Sequence, residues 1–282
     1  MKKQQQLGLV VEGRVSESLV LRLPSVLEQI GPIMSPVSGM AKRVVNALHA
    51  GYIADRYDDL QVARTVLLCI PDRAVDRTVK QIYDSDLVLE DMAFVLCETW
   101  LTSDVLSLLT QRGASVATLV EAATASRNWF ILEGQSLAVR RMSRILEEKG
   151  EARAFELQPG GKPLYFAAEL LAAALPLPFF LAAEEALRAS GLSGRYLYVL
   201  LKEIGEKILR GILKGARFTW GGPLNQCPPE ITEQYLQALR EAKPDLAEIL
   251  DRQLAWAEDQ MRRRERLVGT MKKMEKKMEE RG

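Results

Sequence analysis

Two groups of residues in this sequence are of types and spacings that can do chemistry. The first is Gly8-Leu-Val-Val-Glu-Gly-Arg-Val-Ser-Glu-Ser18, which closes an apolar run and opens a helix-forming stretch. A strand–turn–helix of the form G-x-G-x-x-G binds a pyrophosphate, because small residues let the backbone come close to the anion at the helix N-terminus. Here the three glycine positions read Val11, Gly13 and Ser16. Only the middle glycine, the one that permits close approach, is kept. Val11 crowds the turn, and Glu12 sets a carboxylate beside the expected anion. At an effective dielectric of about 20, a like-charge contact near 4 Å opposes binding by roughly 4 kcal/mol before screening. Arg14 offsets this if it turns toward the ligand, and Ser16 and Ser18 are able to cap the helix and donate hydroxyls. Gly13, Arg14, Val15 and Ser16 are therefore candidate anion-binding residues, and a purely structural turn is the competing reading.

The second group is Lys162, Tyr165 and Glu169. Tyr165 and Glu169 are four residues apart and share one helix face. They form either a proton-relay pair or a structural or interface hydrogen bond, since a glutamate among Ala and Leu requires some partner. Lys162 either stands in water at a domain boundary or reaches a cleft, where burial would lower its pKa. Beyond these, Ser35 lies 22 residues after Gly13, where NAD-binding units place an Asp or Glu for the ribose hydroxyls. With Lys42 and Arg43 nearby, that chemistry suits the 2′-phosphate of NADP better than NAD; the plain alternative is an exposed helix face. His49 reads as a helix-end residue. Glu98 is a lesser candidate at the end of a strand.

These residues must be positioned by elements that alternate along the first 157 residues. Strands are expected at Leu7–Val11, Ile33–Ser35, Thr65–Ile70, Ala93–Cys97, Ser115–Val120, Trp129–Leu132 and Ala154–Leu157. Helices are expected at Val15–Ile30 (kinked or ended by Pro24), Met40–Leu48, Ala74–Tyr83, Ser103–Gln111 and Ser136–Glu148. Continuous apolar strands separated by helices imply a mostly parallel sheet covered on both faces, with the last strands antiparallel at its edge. After Gln158-Pro-Gly-Gly161 strand signals stop, and Pro163–Ala189, Tyr196–Phe218, Pro229–Ala242 and Pro244 onward all read as helix. Pro229 and Pro244 fit first helical turns. The domains read as 1–158, an α/β unit; 159–258, all-helical; and 259–282, a charged helical tail.

Composition excludes other classes. The chain is 48% hydrophobic and 27% charged over 282 residues, which rules out disorder and collagen-like order. Thirty-eight basic against 37 acidic residues leave a charge of +1, so no global field draws it to nucleic acid or membrane. One histidine leaves little scope for a catalytic triad or a His-rich metal site. Cys69, Cys97 and Cys227 are too few and too scattered for a disulfide framework and fit a reducing cytoplasm. The N-terminus lacks the apolar core of a signal peptide. Phe166–Ala183 is apolar enough to suggest a span, but Glu169, Pro176 and Pro178 favour a buried soluble helix. In the tail, Leu267, Met271, Met274 and Met278 form a short coiled-coil seam on a local +4. A solvated helix extension, a self-association seam or a weak anionic contact all fit it; nucleic-acid binding has only the charge in its favour.

With these segments placed, the chain resembles the Rossmann-like proteins of unknown function related to pyrroline-carboxylate reductase and 6-phosphogluconate dehydrogenase. The resemblance spans about residues 7–255. It rests on the degenerate turn, on Asp58-Asp-Leu-Gln-Val-Ala63 with Val66-Leu-Leu-Cys-Ile-Pro-Asp72, on Lys162-Pro-Leu-Tyr-Phe-Ala-Ala168 and on Trp220-Gly-Gly-Pro223. It implies an α/β Rossmann-like domain followed by an all-helical domain of the 6-phosphogluconate dehydrogenase type, and NADP seated against Gly13–Ser16, Ser35, Ile70 and Pro71. It also implies a homodimer formed through helices that close over the nicotinamide. The family's cleft histidines, Ser-Gly, Ser-Asn and Arg-Gly-Asp are replaced here by Cys97-Glu-Thr-Trp100, Glu121-Ala-Ala, Tyr165-Phe166, Ala173-Ala174 and Asn225-Gln-Cys227. Lys162, Tyr165 and Glu169 are the candidate catalytic groups that remain. Two functions are compatible with this: an NADP-dependent reductase of a small imine, ketone or hydroxy acid, or a non-catalytic descendant that senses a ligand or scaffolds a partner.

Overall fold

A computed structural model of the chain describes residues 7–13, 19–123, 128–174, 176–213, 229–245, 247, 248, 250, 252 and 253. Eight strands form one sheet: β1 (Leu7–Val11), β2 (Ile30–Met34), β3 (Tyr52–Ile53), β4 (Thr65–Cys69), β5 (Ala93–Cys97), β6 (Ser115–Glu121), β7 (Trp129–Gly134) and β8 (Arg153–Leu157). Their order is β3-β2-β1-β4-β5-β6-β7-β8. The first six run parallel; β7 pairs antiparallel with β6, and β8 runs parallel to β7, as expected for the edge. β1, β2, β4 and β5 are buried along their whole length, which is why they read as unbroken apolar runs.

Alternation along each strand feeds two cores. Leu7, Leu9 and Val11 point to the face covered by α1 (Pro24–Leu27), α2 (Met40–Leu48) and α5 (Ser136–Glu147). Val10, Val66, Leu68, Phe94 and Leu96 point to the other, covered by α3 (Val75–Tyr83) and α4 (Ser107–Thr110). Order reverses at β1, whose neighbours are β2 on one side and β4 on the other. The register Val11↔Cys69 brings the carboxyl ends of β1 and β4 level at this reversal, the place where sheets of this kind hold ligands in a crevice.

The helix read over Val15–Ile30 is broken at Pro24, as expected. A 3-10 turn at Leu19–Arg22 gives way to α1, and Ile30 already belongs to β2. Pro24 explains the break: it takes a first helical position and forces the preceding Leu23 into extended backbone (φ −77°, ψ 123°). β3, two residues long, carries no sequence signal. The long helix expected from Pro163 is interrupted: α6 (Lys162–Glu169) passes through a π-turn at Leu170–Ala174 before α7 (Pro176–Ala189). α8 (Arg195–Leu213) and α9 (Pro229–Ala242) come next. The chain falls into two compact units, residues 1–171 and 172–282.

One expectation is overturned in the second unit. The apolar stretch around α7 is not buried: no described side chain of α7 is, and Leu177, Phe179, Phe180 and Leu181 are all exposed. A helix apolar on every side cannot be covered by a single neighbour, so much of its surface faces outward. The run Lys162–Ala189 is long and apolar enough to cross a membrane by length and composition alone.

Gly134 is the tightest point of the sheet. Its φ is +144°, and a Cβ there would lie 2.4 Å from the Val116 carbonyl oxygen. Gly134→Ala is expected to cost about 3 kcal/mol, read as a lowered urea midpoint at unchanged m-value.

Candidate active site

Every described candidate residue stands on the carboxyl side of the sheet or in α6. At the end of β1, the Glu12 N–H bonds to the Cys69 carbonyl at 3.1 Å, which fixes the strand's exit against β4. Gly13 comes next with φ +82°, and among the described residues the only atom near an added Cβ would be Pro71 Cδ at 3.8 Å. A left-handed backbone, rather than crowding, is what requires glycine there.

The carboxylate of Glu12 does not stand alone beside this turn. Arg77, from α3, binds it with Nη2 2.6 Å from Oε2. Tyr57 lies close to both charges: burial pushes its phenol up to about 12, with Arg77 opposing and Glu12 reinforcing. Its hydroxyl bonds to Gln81 Oε1 at 3.0 Å. Ser35, at the end of β2, donates from Oγ to the Val11 carbonyl at 2.7 Å and accepts from the Val37 N–H at 3.1 Å. Lys42 and Arg43 are exposed on the first turn of α2, and His49 ends that helix in a left-handed conformation. Ile70 is buried and Pro71 half-buried at the end of β4. Arg14, Val15 and Ser16 lie outside the described residues, as do Cys227, Trp220–Pro223 and the tail. Gly13, Ser35, Ile70 and Pro71 thus stand together at the carboxyl ends of β1, β2 and β4.

Lys162 is not in water. It is fully buried, and its ammonium donates to the Leu101 carbonyl at 2.9 Å and to Thr118 Oγ1 at 3.0 Å. Thr118 in turn donates to Glu133 Oε2 at 3.2 Å. The Glu133 carboxylate also accepts from the Ser103 N–H at 2.8 Å, the Ser103 hydroxyl at 2.9 Å and the Gly160 N–H at 2.8 Å. Four donors on one buried carboxylate satisfy it. Burial pulls the Lys162 ammonium down to about 8, against the opposing charges of Glu133, Asp72, Cys97 and Glu98.

Above this network sits a more accessible pair. The Tyr165 hydroxyl donates to Glu169 Oε1, which also accepts the Ala123 N–H at 3.2 Å. Burial, then the hydrogen bond to Glu169 and its charge, raises the phenol well above its ordinary range, so it stays protonated. Phe166 packs edge-on to Tyr165 at 5.5 Å and against Trp100 at 4.7 Å, while Lys162 Nζ lies 5.9 Å from its ring centre. Trp100 is exposed. Beside it, Thr99 donates to Asp72 Oδ1 at 2.7 Å, tying the exits of β4 and β5. Glu98 holds a left-handed φ of 53°, uncommon outside glycine. Cys69 and Cys97 are buried free thiols; contact with Cys69, then burial, keeps Cys97 protonated and inert.

Sequence reasoning brings Tyr165 and Glu169 together correctly but misses Glu133, Thr118 and Arg77. Glu133 has a signal, a lone charge inside the apolar run Trp129–Gly134, and such a charge must find donors. Arg77 has a fainter one, a cation in a helix's first turn, where the macrodipole disfavours it.

The shifted lysine sets a pH test. Between pH 8 and its ordinary 10.5, Lys162 binds a proton in the unfolded chain but not in the folded one. Stability must therefore rise with pH through that window, by up to about 3 kcal/mol from this group. Denaturant titrations from pH 7.5 to 10.5 should show wild type gaining relative to Lys162→Met; parallel curves would contradict the shift.

No protein-family model and no curated protein matches the sequence. The likeness is to solved structures. A candidate NADP oxidoreductase from Bacteroides fragilis is 14% identical with a TM-score of 0.67, over 90% of this chain and 98% of that one. An imine reductase from Aspergillus terreus, solved with NADPH4 and a dibenzazepine, is 16% identical with a TM-score of 0.57, over 89% and 93%. A pyrroline-5-carboxylate reductase from Coxiella burnetii is 11% identical with a TM-score of 0.50, over 93% and 98%. The chain thus has the fold these proteins share: a Rossmann-like, mostly parallel sheet followed by a helical unit.

Proposed function

We propose that this protein is an NADP-dependent reductase of a small imine, working in the reducing cytoplasm where Cys69 and Cys97 stay as thiols. The observation that carries the reading is the left-handed turn at Gly13, at the level carboxyl ends of β1 and β4. Its likeness in fold to NADP oxidoreductases and imine reductases supports it. NADPH, when bound, supplies the hydride. Gly13 and the β1–β4 exits would hold its diphosphate, with Ile70 and Pro71 beside it, and Lys42 and Arg43 would meet a 2′-phosphate past Ser35.

The chain's own groups favour an imine over a ketone or a hydroxy acid. Glu169 and the Tyr165 oxygen present acceptors, and Glu98 and Asp72 add negative charge nearby. A protonated iminium donates to such a pair and is stabilised by it, whereas a substrate carboxylate is repelled. Trp100 and Phe166 supply an aromatic wall for its apolar part. Lys162, sealed below, orients α6 through its bonds to Leu101 and Thr118 and does not itself touch substrate. The exposed apolar side chains of α7, with Tyr196, Val199 and Leu200 of α8, suit a second copy of the chain, making a homodimer through the helical unit.

Thermal-shift titration tests the cofactor. NADPH should raise Tm saturably and more strongly than NADH, because a ligand bound only to the native state adds stability by mass action. Gly13→Val should abolish the shift. No shift at millimolar NADPH would leave the non-catalytic descendant as the better reading. Light scattering should give twice the 31.6 kDa chain mass; a monomer would remove the dimer proposal.

A further inference from the structure

The Glu12–Arg77 ion pair joins the exit of β1 to the first turn of α3, next to Gly13, and its role there rests on the proposed binding of a dinucleotide. Glu12 is the last residue before the Gly13 turn, and its backbone bond to Cys69 fixes it at the common exit of β1 and β4. An anion drawn to Gly13 therefore arrives beside this carboxylate. Uncompensated, Glu12 would repel it. Its side chain is mostly buried, so water screens the charge poorly, and Arg77 Nη2 sits 2.6 Å from Oε2.

Arg77 is oddly placed for a helix residue. It lies in the first turn of α3, where the positive end of the helix dipole disfavours a cation, and only Asp76 in that turn is acidic. The carboxylate of Glu12, on a different element, is what holds its guanidinium at the exit of β1. Much of the guanidinium remains exposed, so it has further donors directed to solvent.

We propose that Arg77 is a positioning residue for the cofactor diphosphate: by pairing with Glu12 it cancels the charge beside Gly13 that opposes an anion, allowing a site that has lost two glycines still to bind. The pair offsets the charge that Glu12 brings and leaves the bulk of Val11 unchanged. It explains how Glu12 is tolerated beside Gly13 without calling on Arg14.

A double-mutant cycle read by NADPH titration, following protein stability and cofactor fluorescence, tests it. Arg77→Met should weaken NADPH binding about tenfold or more, and Arg77→Lys, which keeps the charge, should stay within about threefold of wild type. Glu12→Gln should leave affinity within about threefold of wild type, because the charge it removes is already cancelled. In the Glu12→Gln background, Arg77→Met should then change affinity by less than about threefold, since no carboxylate remains to be neutralised. Loss of binding by Arg77→Met of equal size with and without Glu12 would overturn the proposal, because Arg77 would then act independently of that carboxylate. Weaker binding by Glu12→Gln would overturn it too, and that arm remains decisive even if Arg77→Met fails to fold. Wild type that binds NADPH while Arg77→Met is indifferent removes the role of Arg77 alone. Wild type that does not bind NADPH removes the cofactor and the role of Arg77 with it.

Discussion

A carboxylate sealed inside a sheet must be surrounded by donors, and much of this unit's architecture is arranged around that need at Glu133. Its four hydrogen bonds come from three places in the chain: the turn after β5 at Ser103, β6 at Thr118 and the approach to α6 at Gly160. Lys162 extends the network to the Leu101 carbonyl. Removing a buried partner from such a network typically costs several kcal/mol, because the remaining charge cannot be rehydrated. The direction in which α6 leaves the sheet, and with it the position of Tyr165, Phe166 and Glu169, is thus held by this buried network together with the contacts of Glu169 to Ala123 and of Phe166 to Trp100.

The same carboxyl edge carries a second charge balance, near the turn. Glu12 with Arg77, and Asp72 with Thr99, each tie a strand exit to a neighbouring element. The first joins the exit of β1 to α3, and the second joins β4 to β5. Both fix what flanks Gly13.

The strands are legible in the sequence because burial on both faces writes itself as unbroken apolar runs; β1 and β5 begin and end where Leu7–Val11 and Ala93–Cys97 place them. After β1 the break at Pro24 is legible, a local covalent constraint stronger than pattern, whereas the 3-10 form of Leu19–Arg22 is not. β3 is invisible because two residues pairing at an edge leave no period to detect. At the site, Tyr165 and Glu169 can be paired from one helix's spacing, an interaction within four residues. Lys162 is harder: its burial depends on Thr118 and Leu101, 44 and 61 residues away, and long-range pairing of that sort does not appear in local sequence. The apolar character of α7 is clear, but what covers it is not, since composition gives hydrophobicity without a partner.

Ser35 has a consequence for selectivity. Its hydroxyl already serves two main-chain partners, donating to Val11 and accepting from Val37, so it has little left with which to grip a sugar. Any anionic group reaching that corner instead meets the long, solvated chains of Lys42 and Arg43. Were the proposed cofactor to reach it, discrimination would rest on ion atmosphere rather than on fit and would weaken as the ionic strength of the medium rises.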